Sequence, residues 1–265
     1  MTETAPTSAR PDWWTDFYDE DLERGLLDTT SAAAIEETLG FLERVLAIRP
    51  GDRVFDQCCG NGRLALPLAR RGYEVHGLDQ AELYIRSAAE LAAREGLSAR
   101  FEAGDAFEQV CRPAARAALN WWTSFGYAPT AAENRRMIVR AFESLQPGAA
   151  FALDWLNVPG ILRGFQRDVI NRVATPQGEL VLLRESRVDL AAGRLLKTWT
   201  WLRPDGERVR RESSVRLYLP HELRELFEAV GFVEVEFFGD TGGAALELDS
   251  PRCIVVGRRP GGARG

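Results

Sequence analysis

The chain has 265 residues, of which 45% are hydrophobic and 27% charged, as is typical of a globular protein with one large domain, with or without a sizeable insertion. Its formal net charge of −6 argues against a general nucleic-acid-binding protein, whose surface is usually basic. The four cysteines lack zinc-ligand spacing, and no apolar run is long enough to cross a bilayer. We therefore expect no metal, no nucleic acid and no membrane partner. Because a basic, apolar leader is also missing, we expect no signal peptide and a cytoplasmic location.

Residues 1–29 are predicted to form a disordered tail followed by a helical cap. The first eleven residues contain Thr, Ala and Pro without periodicity. Asp12 then precedes aromatic residues at helical spacing, which predicts a helix that Asp12 caps and that carries Trp14 and Tyr18. These rings are too apolar for a free tail, so we expect the cap to close over a ligand of the following domain.

A strand, a glycine turn and a helix follow one another from residue 53 onward. The strand ends at Asp56, and Gly60 and Gly62 allow a sharp turn and a close approach to a ligand because neither has a Cβ. The helix start beyond them presents free N–H groups. A second strand ends at Asp79, where a carboxylate would hold the hydroxyl pair of a ribose. This order predicts a site for a nucleoside-containing cofactor.

The other elements alternate as in a doubly wound α/β domain. Helices are predicted near 30–48, 62–71, 80–95 and 131–145, and strands at 53–56, 73–78, 99–102, 117–122 and 149–155. Turn signals then divide residues 168–218 into short runs, which predict antiparallel strands over 180–190, 194–203 and 207–219. A helix over 221–229 follows. We interpret residues 158–218 as a β-rich insertion packed over the cofactor end of the sheet.

The glycine turn reads Asp56-x-Cys58-x-Gly60-x-Gly62, which resembles the acid-x-Gly-x-Gly-x-Gly motif of class I S-adenosylmethionine-dependent methyltransferases. Cysteine replaces the first glycine. Asp79 matches the ribose-binding acid of that family. Gly104-Asp105-Ala106 matches its adenine-contacting segment, residues 120–127 lie where its fourth strand ends near the methyl group, and 233–238 with 253–256 look like its closing hairpin.

The resemblance covers roughly residues 40–157 and 219–259. It implies an α/β fold with a doubly wound, seven-stranded, mostly parallel sheet, an N-terminal helical cap and an antiparallel β insertion. Residues 30–157 and 219–259 would form the Rossmann-like domain, 158–218 the insertion or lid, and 260–265 a disordered tail.

The cofactor that the resemblance implies is S-adenosyl-L-methionine. Its expected ligands are Asp56, Gly60, Gly62, Asp79, Gln80, Asp105, Ala106 and Trp121. Local rules also allow Asp79 to cap a helix and Asp105 to be a turn residue. Arg63 could face the carboxylate of the cofactor, although we favour a place on the helix surface.

The predicted reaction is methyl transfer to a small-molecule acceptor, with nitrogen favoured over oxygen or carbon because no convincing base is present. The expected substrate-binding residues are Trp14, Trp122, Trp155, Trp199 and Arg216, and the expected catalytic residues are Tyr18, Tyr127 and His221. Core packing is the competing role for most of the tryptophans.

Residues 160–218 hold eleven arginines and Lys197 against seven acids. This excess suits an anionic or aromatic acceptor, or simply solvated strand faces. Two other functions fit parts of the pattern. One is an NAD-dependent reductase, and the other is a cofactor-binding protein that has lost catalysis, which Cys58 keeps open. The sequence does not indicate the oligomeric state.

Overall fold

The computed structural model describes residues 9–18 and 30–262, so the predictions for 1–8, 19–29 and 263–265 lie outside it. The helices are α1 (Ala32–Leu46), α2 (Ala65–Arg70), α3 (Glu82–Glu95), α4 (Ala131–Ser144), α5 (Val158–Arg163) and α6 (Pro220–Val230). The strands are β1 (Arg53–Gln57), β2 (Glu74–Asp79), β3 (Ala99–Ala103), β4 (Ala115–Asn120), β5 (Leu145–Trp155), β6 (Asp168–Thr175), β7 (Gly178–Asp189), β8 (Arg194–Leu202), β9 (Arg208–Arg216), β10 (Val233–Phe238) and β11 (Cys253–Arg258). Over these described stretches, no helix is both long and apolar enough to cross a bilayer.

Seven strands form the main sheet in the order β10-β11-β5-β4-β1-β2-β3. Strand β11 runs antiparallel to β5 and β10, whereas β5, β4, β1, β2 and β3 pair in parallel. The strand order reverses beside β1 and β4, and in such sheets a ligand binds at this point, outside the carboxyl ends of the strands. The predicted doubly wound, seven-stranded sheet with its closing hairpin is confirmed.

The main sheet has an apolar core on each of its faces. One core contains Phe55, Phe151 and Phe227, and the other contains Leu42, Leu68 and Ile254. Helix termini are fixed by local hydrogen bonds. Ser31 caps α1 by accepting from the Ala34 N–H, and Thr130 and Glu133 form a capping box at the start of α4. The sheet is therefore a rigid support for the loops at its carboxyl edge.

The insertion is an antiparallel sheet in the order β6-β7-β8-β9. Its first strand, β6, had not been assigned a range from the sequence, and the short helix α5 that precedes it had not been predicted. Another difference is that β5 begins at Leu145 and includes Pro147 and Gly148, where its pairing with β4 is irregular and Gly148 has φ +79°. These differences leave the predicted position of the insertion, between β5 and α6, unchanged.

The described part of the N-terminal segment packs against the insertion, and Trp14 also packs against a core of the main sheet. Trp13 and Phe17 are buried with Leu182, Trp199 and Trp201 of the insertion. The Trp13 Nε1–H donates to the Ser214 carbonyl at 3.1 Å, and Arg211 donates to the Phe17 carbonyl at 2.8 Å.

The predicted helix is seen as a single 3-10 turn, Trp13–Thr15. The Asp12 side chain makes no capping hydrogen bond, which corrects its predicted role. The rest of the predicted cap falls in residues 19–29, outside the described residues.

Candidate active site

A cavity of about 430 Å³ lies at the carboxyl edge of the main sheet, beneath the insertion. One side, which we call the cofactor wall, consists of Gly60, Asp79, Gln80, Asp105 and Ala106. The other side, which we call the roof, consists of the aromatic residues Trp13, Trp14, Phe17 and Tyr18 together with the insertion residues Arg184, Lys197, Trp199 and Ser213. The loop after β4 joins the two through Trp121, Trp122, Thr123, Ser124 and Tyr127.

Asp79 is the centre of the cofactor wall. Its carboxylate accepts hydrogen bonds from the backbone N–H groups of Gly60 and Ala81, each at 2.9 Å. These bonds tie the end of β2 to the glycine turn and fix the direction of the carboxylate, while each oxygen keeps further capacity to accept. Asp79 is thus preorganised to accept from two neighbouring hydroxyl groups of a ligand in the cavity.

Cys58 takes the place of the first glycine in the motif, and its backbone adopts the conformation that a glycine would. Its φ is +65°, in the left-handed region where side chains other than glycine are strained. Gly60 follows with φ +56°. The turn therefore has the shape of a glycine-rich loop even though one glycine is missing.

Three further predicted cofactor residues lie beside Asp79. Asp105 accepts from the Phe107 N–H at 2.8 Å, a turn bond that leaves its second oxygen for a ligand. The Ala106 backbone borders the cavity next to it. The Gln80 amide donates to the Trp14 carbonyl at 2.6 Å, so it joins the cofactor wall to the roof.

Two predicted cofactor residues do not reach the cavity. Asp56 is buried behind the turn, where burial and then the charge of Asp79 raise its pKa to about 8. It is therefore neutral below that pH and presents no charge to a ligand. Gly62, at φ +85°, packs against Leu66 and Ala88, so its lack of a Cβ serves helix packing. Both residues shape the turn from behind.

The loop after β4 contains two consecutive strained residues. Trp122 and Thr123 have φ values of +56° and +66°. The Trp122 N–H donates at 3.0 Å to Asp154 of β5, a buried carboxylate whose other partner is the guanidinium of Arg252, 2.6 Å from Nε. Strain of this kind persists only where surrounding contacts hold it, and it clusters at functional sites.

Arg63 lies at the cavity, which corrects the expectation that it lies on the helix surface. Its guanidinium stacks 3.8 Å from the centroid of the Trp122 ring, and it donates to the Thr30 hydroxyl at 2.7 Å. It therefore supports the same strained loop and gives the cavity a cation near the glycine turn.

Tyr18 and Tyr127, both predicted to be catalytic, are 109 positions apart in the sequence but meet in the cavity. Their hydroxyl oxygens are 2.6 Å apart, and the Tyr127 hydroxyl donates to the Thr123 carbonyl at 2.8 Å. Because the single hydroxyl hydrogen of Tyr127 is already donated to the Thr123 carbonyl, Tyr18 must be the donor in the hydrogen bond between the two tyrosines. The Tyr18 oxygen is then left with lone pairs and can only accept from a ligand.

Neither phenol is a base at neutral pH. Burial raises the pKa of Tyr18 and the pKa of Tyr127 well above the usual range for tyrosine. Among the described residues, no group of three or more His, Cys, Asp or Glu side chains could hold a metal ion.

Two residues predicted to bind the acceptor, and one predicted to be catalytic, lie away from the cavity. Trp155 is fully buried against Phe125 and Tyr218 in the main core. Arg216 stacks over Tyr218 and pairs with Glu222 at 3.2 Å, because the end of β9 turns it toward α6. His221 is exposed on the first turn of α6. The structure thus corrects the positions predicted for these residues.

The predicted aromatic residues Trp14, Trp121, Trp122 and Trp199 do border the cavity. The sequence did not identify Arg184, Ser213 or Arg252 as cavity residues. The position of Arg184 follows from the register of β7 and β8, which places Arg184 directly opposite Trp199. A one-residue change of register would have turned it to the other face of the sheet.

The chain is similar in sequence and in fold to known methyltransferases. The model of the family described as "Methyltransferase domain" matches residues 54–148, from β1 to the start of β5. Residues 54–148 thus match a methyltransferase domain, and the fold of the chain is that of the class I methyltransferases, as the sequence motifs predict.

Two solved structures share the fold over most of the chain. The CcbJ methyltransferase from Streptomyces caelestis is 23% identical, with a TM-score of 0.73 over 92% of this chain and 100% of that one. The sugar N-methyltransferase KedS8 from Streptoalloteichus sp. is 17% identical, with a TM-score of 0.69 over 98% of each chain. Similarity therefore includes the insertion as well as the main sheet.

A curated relative matches a shorter segment. The 23S rRNA (uracil-C(5))-methyltransferase RlmD of Alkalilimnicola ehrlichii is 47% identical over 62 residues. This segment is 23% of the present chain and only 14% of that relative.

Proposed function

We propose that the protein transfers the methyl group of S-adenosyl-L-methionine to a nitrogen atom of a small-molecule acceptor. The observation that carries the proposal is the Asp79 carboxylate, which the glycine turn and Ala81 hold at the cavity wall beside Asp105 and Ala106. A ribose bound at Asp79 would place its base beside Asp105 and Ala106. The methionine part of the cofactor would extend along the turn toward Arg63, and its sulfonium toward the aromatic loop after β4.

The enclosure of the cavity supports a small acceptor. The aromatic N-terminal segment and the insertion both cover it, and the whole space is about 430 Å³, a usual size for a small-molecule site. RlmD methylates ribosomal RNA by its name, but it matches this chain over 62 residues alone. An RNA substrate is therefore the competing outcome in the assay below.

The tyrosine pair supports nitrogen as the methylated atom. A neutral amine attacks the sulfonium with its own lone pair and needs no strong base, whereas a hydroxyl does. The Tyr18 oxygen can accept from an amine N–H and so orient the nitrogen lone pair. The high pKa values of both phenols prevent them from acting as bases at neutral pH. KedS8, which shares the fold, is by its name a sugar N-methyltransferase.

The reaction would depend mainly on positioning. The sulfonium is already a good leaving group, so most of the rate enhancement can come from holding the amine in line with the methyl group. Trp122 and Thr123, held by Asp154, set the position of the Tyr127 hydroxyl and through it that of Tyr18. After transfer, the product ammonium loses a proton to solvent.

The test has two parts. Calorimetry with S-adenosylmethionine, S-adenosylhomocysteine and NAD measures which cofactor binds, and we expect the first two alone to bind. Transfer of a labelled methyl group is then measured on a panel of amines, matched alcohols and unmodified ribosomal RNA. Transfer to alcohols or RNA but not to amines contradicts the proposal, and binding of cofactor without any transfer favours a protein that has lost catalysis.

A further inference from the structure

We propose that Arg184 and Lys197 form an anion-binding subsite in the roof that holds a carboxylate or phosphate group of the acceptor. The inference rests on the proposed function for the identity of the ligand as acceptor. The two cations and the ring between them are arranged on one face of the insertion sheet. Lys197 Nζ lies 5.4 Å, and Arg184 Cζ 5.6 Å, from the centroid of the Trp199 ring.

Strand register creates this arrangement. Arg184 of β7 is directly opposite Trp199 of β8, and Lys197 is two residues from Trp199 on the same strand. The two cations are therefore diagonal neighbours on a face that lines the cavity. Trp199 is fixed between them because its Nε1–H donates to the Ser213 hydroxyl at 2.8 Å.

Most other cations of the insertion are already neutralised. Six arginines are paired with carboxylates: Arg163, Arg172, Arg187, Arg203, Arg210 and Arg216. Arg194 donates to backbone carbonyls of the loop after β4. The positive charge of the insertion is thus mostly structural, as solvated strand faces predict, and Arg184 and Lys197 are the exceptions that face the cavity.

No carboxylate within the described residues pairs with either Arg184 or Lys197. Arg184 donates to the Asn171 side chain at 2.9 Å, and its Nε is buried without a partner. Lysine and arginine are seldom buried without a counter-charge, and two like charges on neighbouring positions repel each other. Burial and then the charge of Arg184 lower the pKa of Lys197 to about 8. An anionic ligand would remove both costs.

The identity of the residue at position 197 also points to a role. Lys197 is the single lysine among 33 basic residues, so the chain elsewhere uses arginine. Its place in the cavity, rather than on the surface, favours a role for its positive charge there. An ammonium beside a guanidinium can share one carboxylate or phosphate from two directions.

The methionine carboxylate of the cofactor is the rival occupant. Arg63 lies next to the glycine turn, where that carboxylate would extend, whereas Arg184 and Lys197 belong to the roof. The cavity therefore offers separate cations for two anionic groups. The experiment must distinguish these two roles.

The probes are benzoate and phenyl phosphate, with benzyl alcohol as the neutral analogue, titrated calorimetrically into the full-length protein saturated with S-adenosylhomocysteine. We expect the anions to bind more tightly than the alcohol, and their relative affinity indicates a carboxylate or a phosphate. Lys197→Met and Arg184→Met should each weaken anion binding about tenfold or more, because a charge-assisted contact is lost. Lys197→Arg should retain most of the affinity, and Arg187→Met, at an exposed position on the same strand as Arg184, should change nothing.

Two results overturn the subsite. One is anion binding to the double variant R184M/K197M that equals the wild type. The other is a loss of S-adenosylhomocysteine affinity in these variants while methylthioadenosine, which lacks the amino-acid part, still binds normally, since the cations would then hold the cofactor. If Arg184→Met does not fold by circular dichroism, the pair Lys197→Met and Lys197→Arg decides. If the wild type does not bind S-adenosylhomocysteine, the proposed function is contradicted. The anion titrations still measure binding at the subsite in that case.

Discussion

The cofactor wall and the roof meet at one cavity, but they are built in different ways. The cofactor wall consists of backbone turns at the ends of parallel strands, with Asp79 fixed by the N–H groups of Gly60 and Ala81. The roof consists of side chains of the N-terminal segment and of an antiparallel sheet, and its cations have no carboxylate partners within the described residues. The polar groups of the cofactor wall are thus positioned before a ligand binds, whereas the roof has positive charges that lack a counter-charge.

This difference suggests a division of labour. A wall made from backbone groups can bind the same cofactor while surface residues change. A roof made from alternating strand side chains can change its acceptor by single substitutions. Variants of the two regions should therefore separate cofactor affinity from acceptor affinity.

The largest expected effect of this kind is at Asp79. Asp79→Ala should weaken S-adenosylhomocysteine binding by about 2–4 kcal/mol, because two charge-assisted hydrogen bonds to the ribose are lost. Calorimetry measures this, with Asp249→Ala, an exposed acid paired with Arg163, as the control. Lys197→Met should leave the same affinity nearly unchanged. Wild-type affinity in a folded Asp79→Ala variant would contradict the binding of the ribose hydroxyls by Asp79.

A second variant tests the junction between the two regions. Arg252→Met leaves the Asp154 carboxylate, of which 1% is exposed, without its cation, and should lower the free energy of unfolding by about 3 kcal/mol. The exposed pair of Arg163 and Asp249 is the control, and Arg163→Met should cost less than about 1 kcal/mol. Denaturant unfolding measures both. Equal losses would mean that Asp154 does not depend on Arg252.

The sequence predicted the cofactor wall better than the roof for a physical reason. Gly60, Asp79 and Asp105 lie in short motifs at strand ends, where local turn chemistry decides their position. Trp155 was expected in the cavity because it ends a predicted strand, and Arg216 because it is one of the excess arginines of the insertion. Their side chains instead pack into the core and against α6.

The misplaced and missed residues share a dependence on long-range pairing. Arg184 reaches the cavity because β7 pairs with β8 in one register, and no local pattern specifies that register. The pairing of Tyr18 with Tyr127 likewise spans 109 positions and needs the folded loop after β4. The sequence could name both tyrosines as candidates but could not give the direction of their hydrogen bond.

The tyrosine pair provides the third prediction. Tyr18→Phe removes the oxygen that would orient the acceptor, so turnover should fall about tenfold to a hundredfold with little change in cofactor affinity. Tyr127→Phe should have a smaller effect, because Tyr18 keeps its oxygen and loses only its support. Single-turnover kinetics and calorimetry on the same variants separate the two quantities. Equal losses in cofactor affinity for both variants would place the pair on the cofactor wall instead.

Anion binding to the roof should depend on pH through Lys197. Lys197 is charged below its pKa of about 8, so benzoate, ionised throughout, should bind about tenfold more weakly at pH 9 than at pH 7. Arg184 is the charged neighbour of Lys197, and Ser213 lies opposite it on β9. Lys197→Arg should abolish most of the dependence, because a guanidinium stays protonated. A profile that keeps its midpoint in Lys197→Arg would assign the titration to another group.

The smallest expected effect concerns Cys58. This residue replaces the first glycine of the motif, which left open that the protein binds the cofactor but has lost catalysis. At φ +65° a cysteine is strained by about 1–2 kcal/mol relative to glycine, but glycine costs about 0.5–1 kcal/mol more chain entropy on folding. Cys58→Gly should therefore change the free energy of unfolding by less than about 1 kcal/mol. Gly60→Ala is the matched comparison, since its φ is +56° and an added Cβ would meet nothing within 4 Å. Strain and chain entropy oppose each other there too, so the net change should be of opposite sign and similarly small, about 1 kcal/mol or less.

Cofactor affinity then decides what the cysteine means. The backbone already has the shape that glycine would give, so S-adenosylhomocysteine should bind to Cys58→Gly within about twofold of the wild type, which is below 0.5 kcal/mol. A gain in affinity of tenfold or more would show that the Cys58 side chain obstructs the cofactor wall. In that case the protein would be one whose cofactor site has degenerated while its roof persists.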